Sequence, residues 1–136
     1  MREKRVEHRF DPEAPGIVLF VSVCREDNKR RVKMVLDTGA TFVLIPWKIA
    51  HELGYKPAAS KEWISITTAT AVIYAPVITL KAVATLGREV NNVKAVCHNL
   101  PDTSRVDGLL GLSYLRNFKV EIDFKKGILT LNNFPS

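Results

Sequence analysis

Short apolar segments that alternate with polar residues dominate the chain, and they predict strands rather than long helices. Residues 17–23 are rich in β-branched side chains, and residues 31–36 alternate between apolar and polar. The polar residues 25–30 between them predict a six-residue turn. We therefore expect a first β-hairpin that ends directly before Asp37.

One short helix is predicted at residues 47–53, between the strands. Pro46 suits the first turn of a helix, and Gly54 suits the position just past its end. His51 lies in this helix, but no second His or Cys stands at ligand spacing, so we assign it no role. One or two further helical turns are expected within residues 113–118.

Strand patterns fill residues 63–97. Residues 63–68 and 72–74 predict a second hairpin. Pro76 has no N–H to donate, so we expect an edge or bulged position there. Two longer strands then turn at residues 87–88. Their alternation predicts one shared face for each strand, formed by Ile78, Leu80, Ala82, Ala84 and Leu86, and by Val93, Ala95 and Cys97.

The end of the chain adds a loop at residues 100–105 and a last hairpin that turns at Lys125-Lys126-Gly127. The total is about eight short strands and two short helices. This pattern predicts an all-β, barrel-like closed-sheet domain. We expect residues 1–15 to form a loosely held N-terminal arm and residues 16–136 to form the domain.

Composition limits the class of protein. The chain has 136 residues, of which 46% are apolar and 25% charged, as in one ordinary globular domain. No apolar run approaches the roughly 18 residues that span a bilayer, and no signal-peptide core follows the charged N-terminus. We therefore expect a cytoplasmic protein with no membrane partner. Cys24 and Cys97 are expected to be buried free thiols.

The net charge of +6 raises the alternative of an anionic partner such as nucleic acid. The excess lies in small groups at residues 2–5, 29–31 and 125–126, in the N-terminal arm and in two predicted turns. No basic stripe is interleaved with exposed aromatics, as a single-strand binder requires. Solvated surface charge is the simpler interpretation, and we expect no nucleic acid partner.

The segment Leu36-Asp37-Thr38-Gly39-Ala40-Thr41 carries the candidate chemistry. A carboxylate that directly follows an apolar strand is costly to desolvate unless hydrogen bonds or charges compensate it. Asp, Thr and Gly also form ordinary turns, so the segment alone leaves a plain turn and a catalytic loop open. Two other acids have simpler roles, since Asp107 suits a turn and Asp123 a solvent-facing strand position.

A second motif, Gly108-Leu109-Leu110-Gly111, follows about seventy residues later. Together the two motifs resemble the retroviral-type (retropepsin-like) aspartic protease family, in particular its single-domain cellular members in microbes. The resemblance covers residues 17–131. It implies a closed, barrel-like fold with one lobe per chain, in which the second motif packs beside the catalytic loop and is structural.

The resemblance implies an aspartic endopeptidase with Asp37 as the catalytic residue. Two carboxylates that share one proton can activate a water and protonate the substrate carbonyl. The chain has one Asp-Thr-Gly, so a second carboxylate requires a two-fold homodimer. Thr38 and Gly39 would support the loop, with the Thr38 hydroxyl tying the two loops across the axis. The substrate would be a polypeptide, with no cofactor and no metal.

The same resemblance places substrate-binding residues in two segments. They are Gly39, Ala40, Thr41 and Phe42 in the catalytic loop, and Ala69, Thr70 and Ala71 at the tip of the second hairpin. The viral tip is rich in glycine and this one has none. A catalytically weak peptide-binding or dimerisation domain therefore stays open as an alternative. Tyr74 near the tip is expected to be a packed aromatic.

The termini depart from the viral pattern as well. Viral enzymes dimerise largely through interleaved end strands, whereas this chain has a charged arm and ends in Asn132-Asn133-Phe134-Pro135-Ser136. We therefore expect a dimer interface that rests more on the short helix and the active-site loops.

Overall fold

The computed structural model describes residues 6–67 and 69–135, and within them it is mostly β. The strands are β1 (Glu7–Arg9), β2 (Val18–Arg25), β3 (Asn28–Leu36), β4 (Val43–Ile45), β5 (Trp63–Thr67), β6 (Val72–Thr85), β7 (Arg88–Cys97), β8 (Gly108–Leu110), β9 (Phe118–Asp123) and β10 (Ile128–Asn133). The helices are α1 (Trp47–Glu52), α2 (Leu112–Leu115) and a 3-10 turn, Pro57–Ala59.

Six strands close into a barrel in the order β2-β3-β8-β4-β7-β6. The ring closes where β2 pairs with β6, with Ser22 opposite Ala84 and Cys24 opposite Ala82. The β3–β8 and β4–β7 pairs are parallel, and the others are antiparallel. The prediction of an all-β, closed, barrel-like domain is confirmed. β5 pairs with β6 beyond the ring and makes the second predicted hairpin.

The alternation of the first hairpin fills the barrel. Leu19, Val21 and Val23 of β2 and Val32 and Met34 of β3 are at most 2% exposed. Each buried side chain of this size stabilises the fold by about 1.5–3 kcal/mol relative to exposure. The intervening residues of β3 point outward, as expected for a half-buried strand. Val93, Ala95 and Cys97 of β7 are also buried, as predicted.

The predicted face of β6 holds only as far as Leu80. Val83, rather than Ala82 or Ala84, is fully buried beyond that point. The Tyr55 hydroxyl accepts the Lys81 N–H at 2.7 Å, and Asn92, on the opposite strand, has a left-handed φ of 57°. Because the Lys81 N–H bonds the Tyr55 hydroxyl instead of a neighbouring strand, the alternation of buried and exposed residues in β6 is interrupted there. The spacing of apolar residues in the sequence does not reveal such a contact.

The first hairpin has a tighter turn than predicted. The ladder reaches Arg25 opposite Asn28, which leaves only Glu26 and Asp27 in the turn. Glu26 takes the left-handed conformation, with φ 53°. The six-residue turn is therefore wrong, and the basic residues 29–31 lie in β3 rather than in a turn. A strand with polar side chains on its outward face has an amino-acid composition similar to that of a loop.

The prediction of an edge or bulged position at Pro76 is right for the edge and wrong for the bulge, because β6 passes through Pro76 in unbroken register. Pairing with β7 begins only at Val77, so among the described residues β6 is unpaired on that side at Pro76, and this position needs no donor from residue 76. One turn prediction also needs correction. The β6–β7 turn is formed by Leu86 and Gly87, both with positive φ, rather than by residues 87–88.

The N-terminal segment joins a second sheet. The order of this sheet is β1-β10-β9, with Glu7 opposite Thr130 and Arg9 opposite Ile128. The Phe10 N–H also donates to the Gly127 carbonyl at 2.9 Å. The expectation of a loosely held arm is therefore wrong for residues 7–9. Residues 1–5 lie outside the described part of the chain.

The helix α1 agrees with the prediction, and the prediction of buried free thiols holds in full for Cys97 and only in part for Cys24. α1 follows Pro46 and ends before Gly54, whose φ of 91° suits a glycine. His51 contacts the Trp47 ring, with 5.7 Å between ring centroids. Cys24 and Cys97 are free thiols, the first half-buried and the second fully buried. Burial raises the pKa of Cys97 to about 12.

The two thiols should differ in reactivity. At about pH 8, iodoacetamide should modify Cys24 in the folded protein and leave Cys97 unmodified, because the thiolate is the nucleophile and Cys97 is both inaccessible and protonated. Peptide mass mapping before and after unfolding in urea checks this. Equal modification of both thiols in the folded state would contradict the described packing around Cys97.

Candidate functional site

The catalytic-loop candidate begins where β3 ends. The Asp37 N–H donates to the Leu110 carbonyl at 3.0 Å, and the Ala40 N–H donates to the Asp37 carbonyl at 3.2 Å. One carboxylate oxygen, Oδ1, accepts the Gly39 N–H at 2.9 Å. Asp37 is half-buried, whereas Thr38 and Gly39 are exposed. The loop thus presents a fixed carboxylate that remains open to solvent on one side.

The second motif lies directly beside this loop. The strand β8 is inserted between β3 and β4, with Leu36 opposite Leu110 and Leu44 opposite Leu109. The two motifs, about seventy residues apart in sequence, are therefore hydrogen-bonded neighbours. Gly108, Leu109, Leu110 and Gly111 therefore lie directly beside the Asp37 loop.

Both glycines of the second motif are required by close backbone approach. A Cβ at Gly108 would overlap the Leu44 carbonyl oxygen, and a Cβ at Gly111 would overlap that of Phe42 and come within 2.7 Å of that of Ala40. Neither glycine has a positive φ, so the constraint is space rather than conformation. Any side chain at position 111 would push the Asp37 loop outward.

The helix α2 fastens the other end of the loop. The Leu112 N–H donates to the Ala40 carbonyl at 2.8 Å, and the Ser113 N–H to the Thr41 carbonyl at 3.0 Å. Tyr114 is fully buried, and its hydroxyl donates to the Arg88 carbonyl at 2.7 Å. Burial raises the pKa of Tyr114. The loop from residue 37 to residue 41 is thus held by main-chain bonds at both ends.

A largely apolar pocket of about 300 Å³ opens beside the loop. Its lining residues are Gly39, Ala40, Thr41, Phe42, Leu44, Ile64, Ser65, Ile66, Val96 and Leu109. The predicted loop residues 39–42 all lie in this lining. Residues 64–66 of β5 were not predicted, although the alternation of β5 could have shown that Ile64 and Ile66 share a face.

The predicted tip residues of the β5–β6 hairpin are not part of this pocket. Ala69, Thr70 and Ala71 are exposed and do not line it. The expectation of a packed Tyr74 is wrong, because its side chain is 72% exposed. Tyr74 lies opposite Ser65 on the outer face of the hairpin, two residues from the exposed Val72.

The other acids lie apart from the pocket lining. Asp107 is exposed, and its N–H donates to the Lys33 carbonyl at 2.8 Å in the approach to β8. Asp123 is exposed, as predicted, and its Oδ1 accepts the N–H groups of Lys125 and Lys126 at 3.0 and 2.9 Å in the last turn. In residues 6–67 and 69–135, no three His, Cys, Asp or Glu side chains are grouped to hold a metal ion.

A family model described as aspartyl protease matches residues 21–114, which include the Asp37 loop and both glycines of the second motif. The chain belongs to the aspartyl protease family. A crystal structure of a retropepsin-like aspartic protease from Rickettsia conorii is similar to this protease over 96% of the present chain and 100% of that one, with 27% identity and a TM-score of 0.70. A search among curated proteins finds no match.

The chain has the retropepsin-like fold predicted from its two motifs. No helix within its described residues is long and apolar enough to cross a membrane. The family and the fold support a peptidase.

Replacing Gly111 with alanine should destabilise the fold more than replacing Gly87 with alanine. Gly111→Ala should lower the free energy of unfolding by about 3 kcal/mol, because the new methyl group overlaps the Phe42 and Ala40 carbonyls. Gly87→Ala is the matched control, since a Cβ there meets no atom within 4 Å and only left-handed strain of about 1–2 kcal/mol remains. Urea unfolding measures both. Equal losses would contradict the packing described for the second motif.

Proposed function

We propose that this aspartyl protease is a homodimeric endopeptidase in which Asp37 and its symmetry mate hydrolyse peptide bonds. One observation carries the proposal. The half-buried Asp37 carboxylate is fixed through Oδ1 to the Gly39 N–H, and Gly39 and Ala40 themselves line the apolar pocket. A carboxylate held in place at the edge of an apolar pocket suits a reaction on a bound polypeptide.

The chemistry requires two carboxylates in different protonation states. The ionised one accepts a proton from the attacking water, and the protonated one donates to the carbonyl oxygen of the scissile bond. Carboxylates close enough to share a water cannot both ionise, so the dyad titrates as a unit. The Gly39 N–H at 2.9 Å occupies one oxygen of Asp37 and thereby orients the carboxylate.

The need for two carboxylates supports a two-fold dimer. The sequence contains one Asp-Thr-Gly, and no other acid among the described residues lines the pocket beside the Asp37 loop. Thr38 is exposed, and its hydroxyl makes no hydrogen bond with the part of the chain that the structure describes. A partner loop across a two-fold axis would satisfy this hydroxyl, as the family resemblance implies. The interface would include these loops and the neighbouring helix.

The substrate would be an extended polypeptide that lies between the Asp37 loop and the β5–β6 hairpin. Residues 39–42 form one wall of the pocket, and Ile64 and Ile66 form another. The tip residues 69–71 would reach the substrate by closing from their exposed position, in the manner of other enzyme lids.

Replacing the proposed catalytic residue should abolish cleavage. Asp37→Asn should lower kcat/KM by about 10³-fold or more, because an amide cannot accept the proton of the attacking water. Cleavage of a peptide library between about pH 4 and pH 7, read by mass spectrometry, measures this. Asp107→Asn is the matched control and should retain wild-type activity.

Two results of that assay would contradict the proposal. Cleavage that survives Asp37→Asn would place the chemistry elsewhere. Wild-type protein that binds peptides without cleaving any of them, across the whole pH range, would favour the peptide-binding alternative instead.

Activity should depend on protein concentration. Below the dimer dissociation constant, the specific activity should fall about tenfold for each tenfold dilution, because the dimer is lost by mass action. Initial rates over a dilution series, with light scattering at the highest concentrations, check this. Constant specific activity from a protein that scatters as a monomer would contradict the two-fold site.

A further inference from the structure

Ser113, in α2, has a hydroxyl that connects three elements next to the pocket. Its Oγ accepts the Val43 N–H at 2.9 Å and donates to the Lys94 carbonyl at 2.7 Å. Val43 is the first residue of β4, and Lys94 lies in β7. One hydroxyl therefore joins the end of the catalytic loop, the helix after the second motif and a barrel strand.

The Val43 N–H and the Lys94 carbonyl, which the Ser113 hydroxyl joins, lie at the first position of the parallel β4–β7 ladder. Val43 is opposite Ala95, and the His98 N–H donates to the Ile45 carbonyl at 3.1 Å. In a parallel ladder with this phase, the Val43 N–H is directed at the Lys94 carbonyl. The Ser113 hydroxyl bonds to both the Val43 N–H and the Lys94 carbonyl. It therefore sets the distance between β4 and β7 at the start of their ladder.

This position lies at the wall of the pocket. Thr41 and Phe42, directly before Val43, line one side, and Val96, two residues beyond Lys94, lines another. The Ser113 N–H also donates to the Thr41 carbonyl. Main chain and side chain of one residue thus fix residues 41–43 relative to β7.

We propose that Ser113 is a positioning residue that determines which apolar side chains the pocket accepts. The hydroxyl spaces the Thr41–Phe42 wall from Val96 and so sets the width of the pocket, without contact with the reacting atoms. The proposal rests on the peptidase function proposed above, and it adds a residue that governs specificity.

Ser113→Ala removes the bridge and leaves the backbone bond to Thr41 in place. The ratio of kcat/KM for two peptides that differ only in a large or a small apolar side chain at the cleaved bond should change about tenfold, because pocket shape at the scale of one methyl group has effects of this size. Ser113→Thr keeps the hydroxyl and should restore the wild-type ratio.

Ser104→Ala is the matched control. The Ser104 hydroxyl donates to the Val106 carbonyl at 2.8 Å and accepts the Val106 N–H at 3.3 Å, so it also bonds two main-chain groups. Its loop does not line this pocket. Ser104→Ala should leave the ratio unchanged. Ser113→Cys, of similar size but with a weakly bonding thiol, replaces Ser113→Ala if that variant fails to fold, and should shift the ratio in the same direction.

Amide hydrogen exchange of Val43, followed by NMR, supplies a readout that needs no activity. Exchange should be about tenfold faster in Ser113→Ala and near wild type in Ser113→Thr. If wild-type protein cleaves peptides and the ratio stays unchanged in a folded Ser113→Ala, the proposal for Ser113 is overturned and the peptidase function stands. If wild-type protein cleaves nothing, the peptidase function fails. Separately, a Val43 exchange rate in Ser113→Ala equal to that of wild type would overturn the Ser113 hydrogen-bond bridge itself.

Discussion

The close approach of the second motif to the catalytic loop is the constraint on which the rest of the site depends. The main chain at Gly108 and Gly111 runs against carbonyl groups of residues 40, 42 and 44, where no side chain fits. In this position the Leu110 carbonyl accepts the Asp37 N–H, and the N–H groups of Leu112 and Ser113 in α2 donate to the carbonyls of residues 40 and 41 in the loop. These main-chain hydrogen bonds fix the loop, and with it the Asp37 carboxylate, relative to the barrel.

The pocket follows from the same arrangement. Once the loop is fixed, residues 39–42 form a wall, and β5 places Ile64 and Ile66 opposite them. An apolar pocket of this kind binds side chains through burial rather than through charge. In the proposed function the Asp37 carboxylate beside the pocket is the reactive group, and the chain has one Asp-Thr-Gly. The proposed dimer would therefore supply the second carboxylate from the other chain.

Much of the fold could be predicted from the sequence, because alternation and turn residues act locally. The closed barrel and the helix after Pro46 were predictable in this way, whereas the packing of the two motifs side by side was predicted only through the family resemblance. The errors arose where tertiary contacts override local pattern. Tyr55 takes a ladder donor from Lys81 and shifts the buried face of β6. The strand at residues 7–9 forms because β10 offers it an edge, and sequence pattern alone does not show such pairing.

In the proposed two-fold site, Asp37 acts together with its own symmetry mate. The decisive measurement is the distance between the two Asp37 carboxylates in a crystal structure of the dimer, at the concentration and pH of highest activity. We expect carboxylate oxygens about 3 Å apart across a two-fold axis, close enough to share one proton. A dimer in which the two carboxylates face away from each other, with full activity in the same crystals, would contradict it.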